Sequence, residues 1–181
     1  MRRLFLTIAA FALAAGVNTA SVAFQQRSAY LTRKFGRHGW AVHLAVVTPL
    51  WVSFLALLPG LGRRVRWPLP ARLRPFGTPL FLTAAMLWLL AFRKLGATRT
   101  GNGNLFGHGS QEPVSGGIFR LTRNPMYDSY VLAFIAAALR SLNGMYLVLA
   151  GAAYVLCHRI EARVENQPLR QRSDLESYCG S

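Results

Sequence analysis

Charge is absent from five stretches of this chain. Residues 4–26, 39–62, 75–92, 129–139 and 141–157 contain no Asp, Glu, Lys or Arg. About 20 consecutive apolar residues cross the hydrocarbon core of a bilayer. Only helices and closed barrels satisfy every backbone group there. The apolar residues come in continuous blocks and do not alternate, so the blocks predict helices. The first two reach spanning length alone, and the third nearly does. The last two are short, and the fourth reaches it only if its helix starts at Pro125. The expected fold is all-α and integral to the membrane. It has about five transmembrane helices, the last two forming a hairpin that turns around Arg140–Gly144.

One membrane-embedded domain over residues 1–181 follows from this pattern. Residues 1–96 would hold three helices, and 97–181 a loop, the hairpin and a tail. Arg2-Arg3, an apolar core and small residues near Ala20 also resemble a signal peptide. The apolar run continues through Val22-Ala23-Phe24, which suits an uncleaved span better. With five spans, thirteen of the 21 Lys and Arg fall on the side of loop 25–38, loop 93–123 and the C-terminal tail, and eight on the other. The positive-inside rule puts the larger set, and any site among it, in the cytoplasm. The net charge of +15 is explained by short loops facing anionic lipid headgroups. No basic domain stands apart from the apolar blocks, so nucleic acid is not an expected partner; membrane lipids are.

Cys157 and Cys179 form no CxxC and accompany no His cluster, so no metal site is expected. Cys157 reads as a small core residue. His43 lies inside an apolar block and is expected to be a hydrogen bonder between helices. The one long loop, 97–117, is rich in Gly and Asn. That composition gives either a connector or a backbone that closes over a ligand.

The stretch with the most chemistry is Gly116-Gly117-Ile118-Phe119-Arg120-Leu121-Thr122-Arg123-Asn124-Pro125-Met126-Tyr127. Asn is a good N-cap, and Pro suits the first helical position. A helix starting at Pro125 aims its positive dipole end at whatever lies in front. Arg123 adds a forked donor. Taken alone, the pattern is better read as a capped membrane helix with a snorkelling Arg and an interfacial Tyr. Two features argue for more. No acid precedes Glu112. The segment after the hairpin, His158-Arg159-Ile160-Glu161-Ala162-Arg163-Val164-Glu165-Asn166-Gln167-Pro168-Leu169, gathers carboxylates and guanidiniums. A hairpin returns its second end to the side where it began, so the Arg-Asn-Pro turn and this segment should meet in a polar pocket at the membrane face.

Residues 110–172 resemble the isoprenylcysteine carboxyl methyltransferase family of small integral-membrane S-adenosylmethionine (SAM) methyltransferases, which is also similar to phospholipid methyltransferases. The resemblance rests on Gly117-Ile118-Phe119, on Arg123-Asn124-Pro125-Met126-Tyr127 and on Glu165-Asn166-Gln167-Pro168-Leu169. It implies methyl transfer from SAM to a lipophilic or lipid-linked acceptor. It places cofactor contacts at Gln111, Val114, Gly117, Phe119, Arg123, Asn124, Tyr127 and Glu165. On the catalytic and substrate side it implies Asn124, with Arg159 and Arg163 as candidate arginines. An aromatic face can hold a sulfonium by cation–π attraction. A carboxylate can accept from an ammonium or ribose hydroxyls. The sequence departs from the family pattern at Asn166, where a second acid is usual, at Ser173-Asp174 and at Asp128-Ser129. Two other readings stand beside this one. A membrane NADPH-dependent reductase of the sterol type has a similar turn but carries Asn where this chain has Met126. A non-catalytic protein of the same fold fits the substitutions at Asn166 and Ser173-Asp174.

Overall fold

The structure, a computed structural model, describes residues 2–64, 67–108, 114 and 116–161. Helix α1 spans Arg2–Ser28, α2 Tyr30–Phe35, α3 Gly39–Arg64, α4 Arg74–Thr100, α5 Pro125–Ser141 and α6 Met145–Tyr154. A π-helical segment, Val155–Glu161, continues α6. The described residues contain one isolated bridge, Pro68 to Asn143, and otherwise helices and turns. Three stretches are long and apolar enough to cross a membrane: Phe5–Ser28, Tyr30–Pro59 and Ala71–Phe106. The hairpin helices are shorter. The 17 residues of α5 rise roughly 26 Å.

α5 and α6 pack into α1 and α3. Phe11, Phe54 and Ala153 form one buried cluster, with Trp51, Val131 and Phe134 against it. The Phe11 ring lies 5.0 Å from Phe54 and 6.2 Å, edge on, from Phe134. A second cluster joins Ala138, Tyr146 and Leu149 to Ile8, Leu58 and Leu69. α4 packs mainly on α5. It buries Gly77, Ala84 and Ala91, a seam of small residues seven apart that lets two helices approach closely. A Cβ at Gly77 would lie 2.6 Å from Arg140 Cγ and 2.8 Å from its backbone nitrogen, so α4 and α5 run antiparallel and nearly touch there.

The two ends of the bundle differ. At one, the segment after α3 pairs with the hairpin turn. Gly144 N–H donates to Trp67 O at 2.7 Å, and Leu69 N–H to Leu142 O at 3.1 Å. Buried Asn143 accepts from Trp67 N–H and Met145 N–H, both at 3.1 Å. Residues 67–73 and the turn at Arg140–Gly144 therefore share an end, since α4 runs away from it and α5 returns.

At the other end the Gly/Asn-rich loop begins as a packed structure. α4 breaks its helical geometry at Gly96 (φ 74), a conformation that favours glycine. The 3-10 turn Gly103–Phe106 then inserts between helices. Trp40 Nε1 donates to Gly101 O at 2.7 Å, and the His43 ring lies 5.1 Å from Phe106. His43 and Ser21 Oγ are 2.9 Å apart, which bears out the expected bond between helices. Buried Gln25 accepts from Leu31 N–H and Thr32 N–H, supplying the cap that Ala29 lacks for α2. Cys157 is buried, as expected.

Candidate active site

The site is built on the turn that leads into α5. Gly116 (φ +87) and Gly117 (φ +57) both adopt left-handed backbone, and among the described residues a Cβ at either would meet nothing within 4 Å. The glycine pair thus bends the chain and leaves its backbone open to a neighbour. A 3-10 turn, Gly117–Arg120, follows and packs against α4. Phe119 within it is half-buried, while Leu121 is 83% exposed.

Thr122 ties the turn to the helix. Its hydroxyl donates to Asp128 Oδ2 and accepts from Asn124 N–H at 3.4 Å. Asn124 holds the N-cap position, and its carbonyl accepts from Asp128 N–H at 3.0 Å. Its side chain makes no capping bond. The expected cap is correct in position and different in chemistry: the Asn124 side chain does not cap the first turn, and the Thr122 hydroxyl instead holds the backbone N–H of Asn124 itself. Pro125 is fully buried at the first helical position. There its missing N–H costs no hydrogen bond.

The two ends of the hairpin meet. Asp128 Oδ1, one turn into α5, lies 3.0 Å from His158 Nε2. The pair is close but not aligned as a hydrogen bond, since the enclosed Nε2 has no hydrogen-bond partner. The contact is therefore one of proximity. The Tyr127 ring stands edge-on to His158, with centroids 6.0 Å apart, and the Tyr154 ring lies 5.1 Å away, tilted. His158 sits in the π-helical segment, a distortion frequent at functional sites.

Of the residues implied by resemblance, Gly117, Phe119, Arg123, Asn124 and Tyr127 fall on this one continuous turn. Arg123 and Arg159 are exposed, and Arg159 follows the histidine that meets α5. Val114 is half-buried. Gln111, Arg163 and Glu165, with Asn166 and Ser173-Asp174, lie outside the described residues. Sequence reasoning missed the Thr122–Asp128–His158 link. Its signal was present: an acid one turn into a membrane helix, and a histidine where the antiparallel partner ends.

A model of the phospholipid methyltransferase family matches residues 73–172, more than half of the chain. The chain belongs to the phospholipid methyltransferase family. The match takes in α4 as well as the loop and hairpin, and so begins well before the motif region. Over 77 residues the chain is 40% identical to phosphatidylethanolamine N-methyltransferase A of Dictyostelium discoideum, covering 42% of this chain and 36% of that protein. Over 89 residues it is 35% identical to phosphatidyl-N-methylethanolamine N-methyltransferase of Saccharomyces cerevisiae, covering 49% of this chain and 43% of that protein. The matched stretch spans less than half the length of these curated relatives. No solved structure shows significant similarity.

Proposed function

We propose that this chain is an integral-membrane methyltransferase that moves a methyl group from SAM to the amine of a phospholipid-like acceptor. The observation that carries the reading is the junction of Asp128 and Tyr127 with His158, in a chain of the phospholipid methyltransferase family. The names of the relatives favour an ethanolamine-type headgroup over a prenyl-cysteine carboxylate.

The residues fit SAM. The open backbone at Gly116 and Gly117 leaves space beside the helix start. The positive end of the α5 dipole and Arg123 suit a carboxylate. The aromatic faces of Phe119 and Tyr127 suit a sulfonium. Gln111, Val114 and Glu165 join the cofactor set on the motif, and Asn124, Arg159 and Arg163 the acceptor side. When bound, SAM supplies a methyl group already activated by positive charge on sulfur. The chain's work is to align the partners and exclude water. A site where helix ends meet the interface serves a polar cofactor and a lipid-borne amine together.

We infer that α5 and α6 also cross the membrane, giving five spans. The Lys/Arg distribution supports a site on the cytoplasmic side. The test is purified protein in detergent, assayed by thermal shift with SAM, S-adenosylhomocysteine and NADPH, and by transfer of labelled methyl to phosphatidylethanolamine vesicles. A ligand that binds only the folded state raises apparent stability. Stabilisation by SAM and S-adenosylhomocysteine with label in the lipid is the expected result. Stabilisation by NADPH alone favours the reductase, and no response to any ligand favours a non-catalytic protein.

A further inference from the structure

We propose that His158, oriented by Asp128, removes the proton from the acceptor's ammonium group before the nitrogen is methylated. The proposal rests on the amine-acceptor reading above. An ammonium has no lone pair and cannot attack carbon, so each methyl transfer to such a headgroup requires a base. His158 stands at the end of the hairpin that also carries the α5 turn. Its side chain keeps 18% of its surface exposed, while Nε2 is enclosed beside Asp128. The exposed part of the side chain is therefore not Nε2. A carboxylate at 3.0 Å favours the proton on Nε2, which leaves Nδ1 as the basic nitrogen. Asp128 is committed by both oxygens, to Thr122 and to His158, so it positions the imidazole and does not itself act as the base. Tyr127, edge-on, and Tyr154, tilted, pack against the imidazole and restrict its rotation.

The step balances. An N–H bond of the ammonium breaks, its electron pair stays on nitrogen, and the proton passes to His158 Nδ1. The freed lone pair then forms the bond to the methyl carbon as the carbon–sulfur pair goes to sulfur. The imidazolium returns its proton to water. Among the described residues, the ionisable groups facing the imidazole are Asp128 and Tyr127 from α5 and Tyr154 on its own helix, with Arg159 adjacent in sequence. α1 also touches this segment, but its residues 4–26 carry no charge.

The experiment compares wild type, His158→Gln, His158→Ala and Asp128→Asn in nanodiscs containing phosphatidylethanolamine. Loss of a general base costs about 10²- to 10⁴-fold in rate. His158→Gln is expected to lose that factor in kcat at neutral pH, with KM for SAM and its thermal shift with S-adenosylhomocysteine preserved. The deficit should shrink as rising pH deprotonates the ammonium in solution, and added imidazole should partly restore His158→Ala. Asp128→Asn should fall between. A readout independent of turnover is the ¹⁵N spectrum of His158 with S-adenosylhomocysteine bound. Its ring signals should move on adding phosphatidylethanolamine and stay fixed with phosphatidylcholine, whose headgroup has no N–H. A His158→Gln protein that binds S-adenosylhomocysteine and keeps wild-type kcat overturns the proposal, as does a deficit equal at every pH. Wild type that methylates no amine lipid removes the acceptor reading first, and this assignment with it.

Discussion

The α4–α5 contact at Gly77 tests whether a seam of small residues sets the geometry of the bundle. A Cβ there would lie 2.6 Å from Arg140 Cγ, 2.8 Å from Arg140 N and 3.2 Å from Ala136 O. Ordinary contacts between heavy carbons are about 3.5–4.0 Å. The Arg side chain can move aside, but the backbone nitrogen moves only with α5. Gly77→Ala therefore forces the helices apart, at an overpacking cost of about 1–3 kcal/mol. Ala also gains up to about 1 kcal/mol over Gly in a helix, which hides part of that cost. Gly16→Ala in α1 supplies the correction, because a Cβ there meets nothing within 4 Å. Both changes carry the same propensity gain, so their difference isolates the contact. Denaturation of the purified protein by SDS titration should put Gly77→Ala about 1–3 kcal/mol below Gly16→Ala. Equal stabilities would refute the close-packed seam.

Four further outcomes follow. Tyr127→Leu should keep the fold and weaken SAM binding by about 0.5–2 kcal/mol, while Tyr127→Phe keeps the ring and most of the affinity, as titration of each variant will show. Glu165→Gln should cost roughly 1.5–3 kcal/mol of SAM affinity, and Glu176→Gln much less; equal losses in calorimetry would remove Glu165 from the cofactor set. Asn143→Ala should destabilise by about 1–3 kcal/mol in the same SDS titration, since it strips the acceptor from two backbone N–H groups at a buried site. Topology reporters after Ser181 and near Gly107 should both read cytoplasmic, with one placed near Pro70 reading the opposite side. Opposite readings at the first two positions would break the hairpin arrangement.

Much of this protein is written in its local sequence. Charge-free blocks dictate helices, because backbone groups in a bilayer must bond within their own segment. Pro125 marks a helix start because proline needs no donor at that position, and α5 does begin there. The Gly-aromatic turn and the Arg-Asn-Pro-Met-Tyr run carry the family likeness, which the match over residues 73–172 bears out. The tertiary structure decided what depends on residues distant in sequence. Block hydropathy has no partner information, so it could not say that Gly77 meets Arg140, or that Trp67 locks onto Asn143. Nor could it separate Asn124 as a capping side chain from Asn124 as a capped backbone position, since that turns on where the Thr122 hydroxyl points. Asp128 looked like a departure from a pattern. Only the folding back of the hairpin, which sets residue 128 against residue 158, gave that acid a second partner distant in sequence.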